Sequence, residues 1–228
     1  MSTRYNARIV SDKLMLHLDA ANPKSYIGSG TSWVDISGKG NNGTLTNGPT
    51  FSSDNLGSFV FDGTNDHVAL NSSFQVSTSG TYSFEAWIYK TATGTNTIST
   101  LIGGGYGSDK DGIIIASEEF SAADNPRIYS VGGSGSTVAA IYYNGVSQPL
   151  NGSNTGTDVN YDLNQWIHIA VTGINVTSTD GGAHHIGQNN NNTNEFAGRI
   201  ANLKVYDREL TATEVKQNYD ALRGRFGL

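Results

Sequence analysis

The sequence predicts an all-β fold, an antiparallel β-sandwich with one short C-terminal helix. Three observations point there. Gly, Asn, Ser and Thr make up more than two-fifths of the 228 residues, a turn-rich composition that a helical bundle does not tolerate. The 22 aromatic residues (8 Phe, 11 Tyr, 3 Trp) supply enough apolar bulk for a core. Apolar residues fall in short alternating runs separated by Gly/Asn/Ser/Thr turns, the period-2 signature of strands.

The clearest strand is Tyr82–Tyr89. Tyr82, Phe84, Ala86 and Ile88 lie on one face, and Ser83, Glu85, Trp87 and Tyr89 on the other. The second face is half aromatic, so both sides are expected to be covered. Leu14–Leu18 and Trp166–Val171 share this two-sided apolarity. Further strands are expected at Ser58–Asp62, His67–Leu70, Ile98–Ile102, Gly112–Ala116, Arg127–Val131, Val138–Tyr143, His184–Gly187 and Ala197–Tyr206. That is about eleven strands at the spacing of a sandwich or barrel. One helix is expected, Ala212–Arg223, opened by a Thr211/Glu214 capping box and lying on the sandwich edge. Residues 1–13 are expected as an arm, either frayed or paired with a neighbour. Residues 14–222 form the domain and 223–228 a tail.

Charge and composition exclude several classes. The formal charge is −6 and no basic face is dense enough for nucleic acid. No run of 18 apolar residues exists to span a membrane. The N-terminal residues lack the apolar core of a secretory signal. With no Cys, disulfide scaffolds, thiol catalysis and Cys-ligated zinc are excluded.

No catalytic residues are assigned. A retaining glycosidase needs two carboxylates about 5–5.5 Å apart, and the central strand offers only Glu85. Glu118 and Glu119 are adjacent and would face opposite ways, while Asp109 and Asp111 sit in a glycine-flanked turn. Gly132–Ser136 has the wrong spacing for a nucleophile elbow. His184 and His185 adjoin and cannot chelate one metal, and His168 reads as a hydrogen-bonded core or inter-sheet residue. The turn Asp62-Gly-Thr-Asn-Asp66 gathers oxygen ligands (Asp62, Asn65, Asp66) suited to Ca2+. The competing reading is a tight hairpin in which Asp62 bonds its own backbone and Gly63 takes positive φ. Sugar platforms are Trp33 with Asp35, and Tyr106 among glycines; a Trp in a turn also commonly packs on the sandwich.

Several segments together resemble the laminin-G-like, or concanavalin A-like, jelly-roll superfamily. They are Asn41–Leu45, Phe61-Asp-Gly-Thr-Asn-Asp-His-Val68, Ser83–Ile88, Trp166-Ile-His-Ile-Ala-Val-Thr172 and Phe196–Val215, the last running from a Phe-x-Gly-x-Ile turn through a strand ending in Tyr206 to a helix start. The segments Leu16–Tyr26, Gly28–Gly38 and Gln217–Gly227 are similar to proteins of tailed bacteriophages of myovirus type. That resemblance implies a non-catalytic virion component, a capsid decoration or a head or tail fibre protein, made in the host cytoplasm. Its partners would be other virion proteins and copies of itself, and, for an adhesin, a host surface glycan.

Overall fold

The computed structural model describes residues 8–71, 81–91, 98–103, 112–116, 127–131, 137–150, 156–158, 163–175, 184–188 and 194–228. In chain order the strands are β1 (Leu14–Asp19), β2 (Ser32–Trp33), β3 (Gly43–Thr46), β4 (Thr50–Ser52), β5 (Ser58–Asp62), β6 (His67–Leu70), β7 (Thr81–Lys90) and β8 (Ile98–Gly103). They continue with β9 (Gly112–Ala116), β10 (Arg127–Val131), β11 (Ala140–Tyr143), β12 (Val146–Gln148), β13 (Gly156–Asp158), β14 (Trp166–Asn175), β15 (His185–Ile186) and β16 (Ala197–Tyr206). Helix α1 (Ala212–Leu222) follows, then a 3-10 turn at Arg223–Phe226.

These strands build two sheets in which every pairing is antiparallel. The first runs β12-β11-β14-β7-β16-β5-β4, with β1 beside the C-terminal half of β16. The second runs β13-β10-β9-β8-β15-β6-β3-β2. Side-chain alternation makes the sandwich: Tyr82, Phe84, Ala86 and Ile88 of β7 and Ile167, Ile169 and Val171 of β14 meet Leu45, Val68, Leu70, Leu101 and Ile186 of the second sheet in one core. This is the aligned packing of two half-apolar sheets, and the all-β expectation stands.

Helix α1 departs from expectation in position. Its capping box forms as the sequence indicates, with Thr211 Oγ1 accepting from the Glu214 amide and Glu214 accepting from the Thr211 amide. It does not lie at the sandwich edge, however, but across the outer face of the first sheet. Val215 packs with Ala170, Tyr142 and Tyr206. Trp87, fully buried, stacks on Phe226 (centroids 4.2 Å apart, 16° between planes) and on Tyr219 (5.6 Å, 13°). The physical reason is the aromatic half of β7's second face, which has to be covered and is too far from the second sheet to be covered by it.

Residues 8–13 and the C-terminal segment likewise pack on the domain. Val10 is buried, its amide donates to Asn218 Oδ1 (2.7 Å) and its carbonyl accepts from the Tyr206 hydroxyl (3.1 Å). Residues 8–13 are therefore a strap on this fold, while residues 1–7 of the expected arm lie outside the described residues. Arg225 pins the C-terminal segment by donating to Asp19 Oδ1 (2.8 Å) and to the carbonyls of Asn55 and Gly57.

Candidate functional site

The sequence-predicted site residues fall at opposite ends of the sandwich. Trp33 pairs with Gly43, which pairs with Leu70, placing it at one end. Asp62 and Asp66 bracket the β5–β6 turn at the other. Tyr106 lies outside the described residues.

Trp33 and Asp35 are built into the fold. The Trp33 ring is fully buried and meets Phe59 edge-on at 4.7 Å, so it presents no face to a sugar. The Asp35 carboxylate accepts four hydrogen bonds. Oδ1 takes the amides of His17 (2.9 Å) and Ser37 (2.8 Å), and Oδ2 takes the Ser37 hydroxyl (2.8 Å) and the Asn41 amide (2.9 Å). Asn42 Oδ1 accepts from the Asp35 amide, and Asn41 Nδ2 donates to the Met15 carbonyl. One carboxylate thus satisfies the donors of the β2–β3 loop and ties it to β1. This pair is a correction to the sugar-platform expectation, because packing used up the ring and loop closure used up the acid.

The Asp62–Asp66 turn closes on itself. Asp62 Oδ1 accepts from the Thr64 amide (2.8 Å), an Asx turn, and Asp66 Oδ2 accepts from the Asp62 amide (3.0 Å). Gly63 takes φ +78°, and a Cβ there would strike Ala197. The Asn65 carbonyl accepts from Asn47 Nδ2 (3.1 Å) and lies 3.0 Å from His67 Nδ1. Burial, and then the neighbouring Asp62 charge, push the Asp66 carboxyl up, while the Asp62 amide pulls it down. As a Ca2+ cradle the turn fits poorly. A calcium ion takes six to eight oxygens, whereas here one oxygen of each carboxylate and the Asn65 carbonyl already close the turn. Among the described residues no group of three or more His, Asp or Glu gathers as a metal site.

The sequence reading missed a sealed polar cluster between the first sheet and α1. Glu85 of β7, His168 of β14, Lys204 of β16 and Asn218 of α1 are all fully buried. Glu85 Oε2 accepts from Asn218 Nδ2 (2.7 Å) and lies 3.5 Å from Lys204 Nζ. Asn218 Nδ2 also reaches the Tyr206 hydroxyl (3.0 Å). Burial raises the Glu85 carboxyl, opposed by Lys204 and Asn218. His168 was expected to be hydrogen-bonded, yet neither ring nitrogen has a hydrogen-bond partner; its Nε2 is 3.9 Å from Glu85 Oε1. It faces α1 and not the second sheet, because Trp87 (5.1 Å) and Tyr219 (5.7 Å) flank it. The signal was present: Glu85 and Lys204 each stand mid-run in an apolar strand, where an ion is tolerated only when paired. With no exposed surface, the cluster cannot meet a substrate and works as structure.

What reaches solvent is different. Among the described residues Phe51, on edge strand β4, is the one aromatic with more than a third of its surface exposed, at 38%. Its ring lies 5.2 Å from that of Tyr26, beside the exposed Ile27. At the Asp62 end, Lys90 Nζ is buried against the Phe196 ring (5.5 Å) and donates to the Thr91 carbonyl (3.2 Å), and burial lowers its pKa to about 8.

Together the two sheets and the covering helix define an antiparallel β-sandwich. By sequence, no family pattern and no curated protein matches the chain. Solved structures do match it by shape. One is domain 4 of AbnA, a GH43 extracellular arabinanase from Geobacillus stearothermophilus, in complex with arabinotriose: 17% identity and TM-score 0.57 over 91% of this chain and 98% of that one. The binding domain of Paraclostridial Mosquitocidal Protein 1 matches at 16% identity and TM-score 0.57, over 92% of this chain and 52% of that one. Trypanosoma rangeli sialidase matches at 12% identity and TM-score 0.56 over 93% of this chain. The chain spans only 33% of the sialidase's length. At these identities the likeness is one of fold.

Proposed function

We propose that the chain is a non-catalytic carbohydrate-binding module, and that it serves on the surface of a tailed-bacteriophage particle as part of a capsid decoration or fibre protein. The observation that carries the first half is the end-to-end likeness to domain 4 of the arabinanase, a domain solved with a trisaccharide bound. A toxin's binding domain shares the shape. The absence of chemistry rests on β7, where Glu85 is the acid of the central strand and is held by Lys204 and Asn218 away from solvent. The particle setting rests on the phage-like segments Leu16–Tyr26, Gly28–Gly38 and Gln217–Gly227.

Phe51 is the described aromatic exposed enough to stack on a pyranose or furanose ring, with the buried Tyr26 packed beside it, since a sugar's C–H face packs on an aromatic face. One shallow site of this kind binds at about 1 mM, roughly −4 kcal/mol, so function depends on many copies acting together.

The test is a glycan array probed with the domain displayed in many copies, run in calcium and again in chelator. Saturable binding to a defined polysaccharide, weakened by Phe51→Ala, is expected. No binding to any glycan by a folded, multivalent sample overturns the sugar reading. Mass spectrometry of purified particles tests the setting, and absence of the chain from them removes it.

A further inference from the structure

We propose that residues 8–13 and 208–226 form an acid-sensitive strap, which lifts from the first sheet when His168 takes up a proton. The geometry is a lock with a single weak point. The strap is joined to itself and to the sheet through Asn218, which accepts from the Val10 amide and donates to Glu85 and Tyr206. Gln217 Nε2 adds a bond to the Arg8 carbonyl (2.6 Å), and Arg208 bridges Asp12 and Glu214.

Under it lies His168, fully buried, with both ring nitrogens lacking hydrogen-bond partners. The groups facing it come from every packed element. They are Glu85 and Trp87 from β7, Lys204 from β16, and Tyr219 with the neighbouring Asn218 from α1. His17 of β1 and the Tyr206 hydroxyl border the same cluster.

Glu85 and Lys204 face each other at 3.5 Å in the cluster, and near neutral pH burial, then Lys204, keep His168 neutral. A proton on His168 adds a positive charge to a sealed site, beside the Lys204 ammonium side chain that already opposes it. Glu85 Oε1, itself without a hydrogen-bond partner, is the natural acceptor, but at 3.9 Å it is too far for a hydrogen bond, and Lys204 and Asn218 hold the carboxylate in place through Oε2. Burial, then Lys204, hold the imidazole well below its ordinary pKa while the strap is closed. Once the strap opens, water solvates the imidazolium. The cheapest route for that water is past α1, because the opposite side of the sheet is the main core. The sign follows by linkage: the open state binds the proton and the closed state does not, so opening is promoted as pH falls below about 6.5. The Arg208–Glu214 pair does not fail first, since Arg208 holds the Glu214 carboxyl down to about 2.

The test is hydrogen exchange followed by mass spectrometry on the intact chain between pH 7.5 and 5, corrected for intrinsic exchange. In the wild type, the opening constant of residues 208–226 is expected to rise up to tenfold per pH unit below about 6.5, while inner strands β7 and β14 stay protected. His168→Phe keeps a ring between Trp87 and Tyr219 but cannot titrate, and its opening constant is expected to stay flat. His17→Gln is the control and is expected to keep the wild-type slope. The same slope in wild type and His168→Phe, or equal loss across strap and core, overturns the proposal. Imidazole NMR of the wild type gives a second readout that needs no variant. The His168 signal and the α1 amides are expected to change at one midpoint; His168 titrating with α1 undisturbed also overturns it.

Discussion

Asp35→Asn is the sharpest single perturbation of the fold. The carboxylate accepts four hydrogen bonds, two at each oxygen. Asparagine keeps one acceptor oxygen, enough for the amides of His17 and Ser37. Its NH2 then faces the Ser37 hydroxyl and the Asn41 amide. The hydroxyl can rotate to accept, but the Asn41 amide cannot, and it is left unpaired at a buried position. An unpaired buried donor costs about 1–3 kcal/mol, and hydrogen bonds to a charged acceptor are worth more than neutral ones, so the sum is about 2–4 kcal/mol. At this chain length that is a fall in Tm of roughly 5–15 °C. Scanning calorimetry measures it, and glycan affinity of the folded variant is expected to equal the wild type. An unchanged Tm with lost glycan binding would refute the reasoning and return Asp35 to a sugar site.

Three further outcomes follow from the packing and the titration. Trp87→Ala removes the ring on which Phe226 and Tyr219 stack and is expected to cost about 3–5 kcal/mol, read from urea denaturation. Gly198 holds φ +142°, and a Cβ there would run into the Tyr89 carbonyl of β7; Gly198→Ala is expected to abolish soluble folded protein, checked by expression and circular dichroism. Burial, then Lys204, hold His17 down to about 4 in the folded chain against about 6.5 unfolded. The folded state therefore binds fewer protons between those values. The stability this neutral imidazole preserves is complete above about pH 6.5 and falls by at most about 3 kcal/mol as pH drops to 4. His17→Gln is expected to make that part of the stability profile shallower, with the remaining slope supplied by His168.

The long strands were legible in the sequence because each carries its own alternation. Tyr82–Tyr89 shows both faces, and the structure uses both. The short strands β2, β3, β4, β12 and β13 were not legible, since two to four residues hold too little alternation and are fixed by their partners. The helix was legible from its capping box, but its seat was not. Nothing within Ala212–Leu222 says that Trp87, over a hundred residues earlier, needs a cover. Trp33 and Asp35 show the limit at the site: an aromatic beside an acid reads the same whether it binds a sugar or closes a loop, and only the burial of the ring and the four bonds to the acid tell them apart. Glu85 and Lys204 were visible as isolated charges, though their meeting depended on the register of β7 against β16.

The central claim, a sandwich that holds sugar without cutting it, is tested most directly by incubating the purified domain with its array-selected polysaccharide and following both partners. Calorimetry is expected to show saturable binding while mass spectrometry finds the glycan chain lengths unchanged. Shortened chains with new reducing ends, lost on substitution of a described carboxylate, would contradict it.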